Sequence, residues 1–254
     1  MPVSDQPHSS WADVYDLAYE QSFGEAYKRL TKATVKVVVD RVKPPARIVD
    51  FGAGTGRLSI VFSEMGFDVT AVEPCAEMLR QLELKRGQTA LHTVCSKMED
   101  FVSNQHFDVA ICVFTVLLYL LDEESLTKSL TAAHASLKSG GILLIDIPSK
   151  AIFRGHQTCD HLIDRSVSVD KHTGDIFIYR EDLKVKQPNG DEVKYSDTFQ
   201  IRYWPEEEVR NALEKTGFVV DTDLRDYFSG TGSHYYIMKK AEQGAPADVA
   251  KPRR

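Results

Sequence analysis

Apolar positions along this chain change period three times, and each change marks a different kind of element. Over residues 11–40, Tyr15, Tyr19, Phe23 and Tyr27 recur every fourth position, which predicts a helix with one aromatic stripe; Lys43-Pro44-Pro45 stops it. From residue 47 short apolar runs alternate with helical patterns. Strands are expected at 47–51, 68–73, 90–95, 107–114 and 142–147. Helices are expected at 57–64, 76–86 and 123–137, the first closed by Gly66 and the last by Ser139-Gly140-Gly141. The run Phe107-Asp108-Val109-Ala110-Ile111-Cys112-Val113-Phe114 is almost continuously apolar, as suits a central strand covered on both faces. Strands separated by helices imply a parallel sheet with right-handed crossovers.

Beyond residue 165 the period drops to two, through Val167/Val169, Ile176/Ile178, Leu183/Val185, Val193/Tyr195 and Phe199/Ile201/Tyr203. Thr173-Gly174 and Pro188-Asn189-Gly190-Asp191 read as hairpin turns, so 165–204 is expected to form three antiparallel strands. A helix follows over 205–215, its acidic first turn suited to the positive end of the helix dipole, and Gly217 closes it. The last strands are expected at 218–225 and 233–239. The polar start, 1–10, and the Ala/Pro/Gly-rich end, 241–254, are expected to be disordered, leaving one folded domain over 11–240.

Composition narrows the class. A chain 43% hydrophobic and 27% charged has enough apolar side chains for a full core, and a net charge of -6 counts against a dedicated nucleic-acid binder. The four cysteines, Cys75, Cys95, Cys112 and Cys159, form no CxxC pair, so neither a zinc site nor a disulfide framework is expected, and no metal is assigned. Free thiols fit a reducing, cytoplasmic compartment. The first ten residues lack the apolar stretch of a secretory leader, and no run reaches the length of a membrane span.

The strongest chemical signal is Gly52-Ala53-Gly54-Thr55-Gly56, lying between a strand and a helix. Without Cβ atoms the backbone can bend sharply and approach a ligand, and the helix start offers free N–H groups. Glu73 ends the next strand, where a carboxylate can accept hydrogen bonds from ribose hydroxyls. These two features serve dinucleotide and adenosyl ligands alike. Asp50 before the turn, the polar segment Ser96-Lys97-Met98-Glu99-Asp100-Phe101 after the third strand and the closing strand pair add the rest.

Together with FDVAICVFTVLLYL, SLKSGGILLIDIP and PEEEVRNALEKTGF, these motifs resemble the class I S-adenosylmethionine-dependent methyltransferases over roughly residues 48–239. The resemblance implies an α/β, Rossmann-like fold. Its mostly parallel seven-stranded sheet has a reversed C-terminal hairpin, here with a small antiparallel β insertion. It also implies S-adenosyl-L-methionine as cofactor and S-adenosyl-L-homocysteine as product. Gly52, Ala53, Gly54, Thr55 and Gly56 would line the methionine and ribose part. Asp50 would face the ammonium and Glu73 the ribose. Pro74, Met78, Ser96, Lys97 and Met98 would surround the adenine, although many relatives have Asp at the position of Ser96. Val113, Phe114 and Thr115 would meet the sulfonium, and Tyr15 and Tyr19 of an N-terminal helical lid, 11–42, would cover the cofactor.

Methyl transfer from a sulfonium is an in-line displacement, so the protein mainly aligns two reactants and excludes water. A hydroxyl acceptor would also need a general base. His234, His156 and Tyr119 are the candidates by position. The insertion, 165–204, would roof the acceptor pocket through Tyr179, Arg202 and Tyr203, or form a homodimer interface. The expected acceptor is an N or O atom of a small molecule. Alternatives are methylation of tRNA or another macromolecule, a binder of the cofactor that does no chemistry, and a nicotinamide dehydrogenase. No Asn-Pro-Pro-Tyr segment follows the fourth strand, which removes the usual mark of methylation on a planar amide or base nitrogen.

Overall fold

The computed structural model describes residues 3–4, 6–187 and 189–241. Its centre is a seven-stranded sheet built from β1 (Arg47–Phe51), β2 (Asp68–Glu73), β3 (Leu91–Cys95), β4 (Phe107–Cys112), β5 (Leu137–Pro148), β10 (Phe218–Asp223) and β11 (Ser233–Lys240). The strand order is β10-β11-β5-β4-β1-β2-β3. Strands β1 to β5 pair in parallel, and β11 runs antiparallel to both β5 and β10. The Rossmann-like methyltransferase architecture with its reversed last strand is therefore present.

Helices cover both faces because neighbouring residues of the central strands point to opposite sides and both are apolar. Val49, Ala110 and Ile145 pack with Leu126, Leu130 and Ala133 of α4 (Glu123–Ser136) and Val209 and Leu213 of α5 (Glu206–Lys215). Ile48, Val109 and Leu144 face the other way, onto Val37 and Val38 of α1 (Tyr15–Val39), Phe62 of α2 (Ser59–Glu64) and Leu82 of α3 (Ala76–Lys85). Asp122 and Ser125 form a reciprocal capping box at the start of α4.

Four expectations need correction. Ser139-Gly140-Gly141 does not stop a helix; it lies within β5. The extra residues are absorbed where the β4–β5 register shifts between Phe107↔Leu137 and Val109↔Ile142. A Cβ on Gly141 would lie 3.0 Å from the Lys138 carbonyl, so the close backbone approach favours glycine there. The insertion has four strands rather than three, in the order β6-β7-β8-β9: β6 (His156–Cys159), β7 (Ile163–Thr173), β8 (Ile176–Lys186) and β9 (Glu192–Arg202). The added strand β6 is too short and polar to show a period. The helix expected over 11–40 is interrupted by a non-helical Gly24 (φ 46°, ψ -124°), and Trp11 sits before it in a 3₁₀ turn, Ser9–Trp11.

The fourth correction concerns the first ten residues. Residues 1, 2 and 5, like 242–254, lie outside the described residues. Of the others, His8 is buried beside Trp11, and Ser4 N–H donates to the Thr198 carbonyl of β9 at 2.6 Å. Trp11, Ala18 and Tyr19 share an apolar cluster with Ile163, Leu183 and Val185 of the insertion. The segment is held by contacts about 190 residues away in sequence, which no local pattern encodes.

Candidate active site

Strand ends and the glycine turn set the lower wall of the site. After β1 the chain turns through Gly52 (φ 68°), Gly54 (φ 57°) and Gly56 (φ 89°), all in the left-handed region. A Cβ on Gly52 would lie 2.5 Å from Val116, whereas one on Gly54 would project toward Met78 at 3.6 Å, into ligand space. Gly56 serves packing: its Cβ would strike Leu82 of α3 at 2.6 Å. Glu73 accepts the N–H of Gly54 through one oxygen and that of Cys75 through the other, each at 3.0 Å. Burial raises its carboxyl, an effect that those two bonds counter. Asp50 is buried, accepts the Ser59 hydroxyl at 2.6 Å, and is pushed up to about 6 by desolvation. The hydroxyl of Thr55 donates to Asp16 at 2.6 Å, and Asp16 also pairs with Lys85, so α1 is tied to the turn.

The end of β4 is strained. Phe114 and Thr115 both have φ 69°, a conformation that costs a bulky L-residue of order 1–3 kcal/mol. Asp146 of β5, fully buried and raised to about 6 by desolvation, accepts the Thr115 N–H at 3.1 Å and pins the bend. The strain turns Phe114 toward α1, where its ring lies 5.8 Å from Tyr19 and 5.2 Å from Tyr27. The Arg57 guanidinium lies over Tyr27 and Phe114 at 4.8 and 4.7 Å and donates to Thr31. Tyr15 and Tyr19 stack at 4.3 Å beside it.

These parts enclose one cavity of about 570 Å³. Of the residues expected at the cofactor, it is lined by Tyr15, Tyr19, Asp50, Gly52, Ala53, Gly54 and Thr55. Glu73, Pro74, Met78, Lys97, Met98, Val113, Phe114 and Thr115 complete that set, and the base candidate Tyr119 also lines the wall. Gly56 does not reach the wall, nor does Ser96, whose hydroxyl turns to the Lys97 carbonyl at 2.9 Å.

The structure does not bring the other candidates there. His234 points to α5, 2.5 Å from Glu206. His156, on β6, lies 3.3 Å from Arg165. Tyr179 stacks on Phe199 at 4.8 Å, Arg202 reaches the Leu121 carbonyl and stacks on Trp204, and Tyr203 packs against Phe153 and Lys150. Tyr179 and His156 thus pack within the insertion, Arg202 and Tyr203 tie it to neighbouring segments, and none of these side chains lines the cavity.

Sequence reasoning gave no role to Arg57, Gln200, Val3, Ser4, Gln6, Pro7 or His8, which also line the cavity. Arg57 directly follows the glycine turn, so adjacency was a usable signal. His8 had none: its N–H donates to Asp197 at 2.7 Å and its Nε2 lies 2.9 Å from the Tyr119 hydroxyl.

The residues present fit an adenosyl sulfonium ligand. The space a Gly54 Cβ would fill admits a ligand against the turn. The buried acids Glu73 and Asp50 suit a diol and an ammonium, and Arg57 supplies a cation for a carboxylate. No helix among the described residues is long and apolar enough to cross a membrane.

Comparison with known proteins agrees. Residues 23–223 match the family described as methyltransferase domain. A glycine/sarcosine N-methyltransferase from Parasynechococcus marenigrum is 26% identical over 262 residues, covering 93% of this chain and 88% of that protein. An S-adenosylmethionine-dependent methyltransferase from Clostridium acetobutylicum superposes with a TM-score of 0.78 at 20% identity, covering 90% of this chain and 98% of that one. An amino pentose methyltransferase from Micromonospora echinaspora, solved with S-adenosylmethionine bound, gives 0.73 at 20% identity, with coverage of 90% and 97%. With the family match spanning most of the chain and the glycine turn, Asp50 and Glu73 on one cavity wall, this protein belongs to the S-adenosylmethionine-dependent methyltransferases.

Proposed function

We propose that the protein methylates an amine nitrogen of a small polar molecule. The observation that carries this reading is the closure of the cavity. Residues 3–4 and 6–8 line it, Ser4 bonded to β9 and His8 held by Asp197, so the chain's own first residues close part of its wall. Such a roof suits an acceptor that is enclosed together with the cofactor rather than a macromolecular strand lying along a groove. Two of the similar proteins support the choice of nitrogen, since their names specify glycine or sarcosine nitrogen and an amino pentose.

When bound, S-adenosylmethionine supplies a methyl group already activated on a sulfonium. The chain's work is then to bind and align. Glu73 holds the ribose hydroxyls, Asp50 the ammonium, and the glycine turn leaves room for both. Phe114, Tyr15, Tyr19 and Tyr27 line the wall with aromatic surface and exclude water from that side. Tyr119 presents its hydroxyl on the same wall.

Incubation with methyl-labelled cofactor and a metabolite extract, followed by separation by size and by mass, tests the reading. Label is expected on small amines. Label confined to RNA or protein, or to oxygen of a small molecule, would overturn it.

A further inference from the structure

We propose that His8 is the proton acceptor of this site, taking the proton of the acceptor ammonium through the Tyr119 hydroxyl while Glu181 holds the opposite ring nitrogen. This rests on the amine reading above.

The geometry is a chain of polar atoms that starts at the exposed Tyr119 on the cavity wall and ends at the buried pair His8 and Glu181. Tyr119 lines the wall beside the end of β4, and its hydroxyl lies 2.9 Å from His8 Nε2. On the other side of the ring, His8 Nδ1 lies 3.5 Å from Glu181 Oε2. Both of these atoms are buried and make no other hydrogen bond. A buried unbonded carboxylate oxygen beside an unbonded imidazole nitrogen is costly unless one proton lies between them. That proton belongs on Nδ1, which leaves Nε2 as a lone pair aimed at Tyr119.

Every element packed on His8 supports the same tautomer. On β8, Glu181 is fully buried, and its other oxygen is taken by Arg165 of β7, so Oε2 is left for the histidine. The Arg165 guanidinium also reaches Ser22, His156 and Tyr179, which keeps the buried carboxylate charged and fixed. On β9, Asp197 accepts the backbone N–H of His8, not its ring. On the α1 side the ring meets only aromatic edges: Trp11 at 5.0 Å, Tyr15 at 5.4 Å and Tyr19 at 6.4 Å, with Phe199 of β9 at 5.0 Å. Glu73 faces His8 from across the cavity. Tyr119 itself is held well above its usual range by burial, so it stays protonated and passes a proton on rather than keeping a negative charge.

The step balances without a further reagent. An N–H bond of the acceptor ammonium breaks and its proton passes to the Tyr119 oxygen. The Tyr119 O–H bond breaks in turn, and that proton forms a new bond at His8 Nε2. The acceptor is left neutral with a free lone pair, and the new imidazolium faces the Glu181 carboxylate. Glu181 is a positioning residue, since it touches neither reactant.

The test has two arms. Long-range proton–nitrogen NMR of histidine-labelled protein with S-adenosylhomocysteine is expected to show His8 protonated at Nδ1 and bare at Nε2, a tautomer that Glu181→Leu, with no group to accept that proton, is expected to lose. The opposite tautomer in the wild type, or the same tautomer kept in Glu181→Leu, overturns the relay. In the second arm, wild type and His8→Gln are assayed from pH 6 to 10 with glycine, sarcosine and a free amino sugar as probes. The variant is expected to lose about tenfold or more in kcat near pH 7. The loss should shrink toward pH 10, where the amine is already neutral, and S-adenosylhomocysteine affinity should hold within threefold. An equal fractional loss at every pH overturns the relay. If wild type methylates none of the amines, the amine reading fails, and the NMR arm still decides the tautomer.

Discussion

Glu73 offers the sharpest test of how the cofactor is held. Its two oxygens each accept a backbone N–H at 3.0 Å, from Gly54 and Cys75, and the remaining lone pairs are open to the cavity. Replacing it with Ala removes a charged acceptor from both ribose hydroxyls. Hydrogen bonds to a charged group contribute about 1.5–3 kcal/mol each, and partial rehydration of the freed hydroxyls reduces the sum to about 2–4 kcal/mol. That corresponds to roughly a 30- to 1,000-fold rise in Kd. The same substitution strips two N–H donors of their partner, which is expected to lower stability by about 1–3 kcal/mol. Glu73→Gln separates the effects, because its amide oxygen can still serve one of the two N–H groups. Titration calorimetry with S-adenosylhomocysteine reads the binding loss, and urea unfolding of the free protein reads the stability loss. Affinity within threefold of wild type in both variants would refute the assignment. So would a binding loss that vanished once unfolded protein was accounted for.

Three further outcomes follow from the same geometry. Asp50, raised to about 6 by burial, must be ionised to hold an ammonium. Cofactor affinity should therefore be full above about pH 7 and fall about tenfold for each unit below pH 6. Asp50→Asn should remove that slope; its persistence in Asp50→Asn and loss in Asp146→Asn would move the role to Asp146. Gly52→Ala places a Cβ 2.5 Å from Val116 at φ 68°, and thermal unfolding should show a cost of about 1–3 kcal/mol along with weakened cofactor binding. His234→Ala, which removes only the pairing with Glu206, should leave methyl transfer within about twofold and stability within about 1 kcal/mol.

How much of this was legible depended on whether the physics was local. The parallel strands were legible because both faces are buried, as at Ile48-Val49 and Val109-Ala110, so each strand reads as an apolar run. The glycine turn and Glu73 were legible because their conformations and charge serve one ligand within a single β-α-β unit. The start of β5 was misread because Gly140-Gly141 satisfies the local rule for ending a helix, whereas the register shift opposite Phe107 is a property of two strands. His8 was invisible for the same reason in a stronger form: its partners are at 119, 181 and 197, and no run of neighbouring residues records such a convergence. The histidines that could be judged by position, His234 and His156, fell on strands whose side chains turn to Glu206 and Arg165.

The two-sheet construction separates inheritance from specialisation. Most of the cavity residues expected at the cofactor come from the stretch between Asp50 and Thr115, at the C-terminal ends of the parallel strands. The opposite wall is assembled from the chain's first residues and from β9, regions far apart in sequence that meet only in the folded protein. The strands and turn that hold the nucleotide can stay unchanged while the roof is rewritten. A change of acceptor then asks for substitutions among Val3, Ser4, Gln6 and Pro7 and at Phe199 and Gln200, leaving the glycine turn and Glu73 in place.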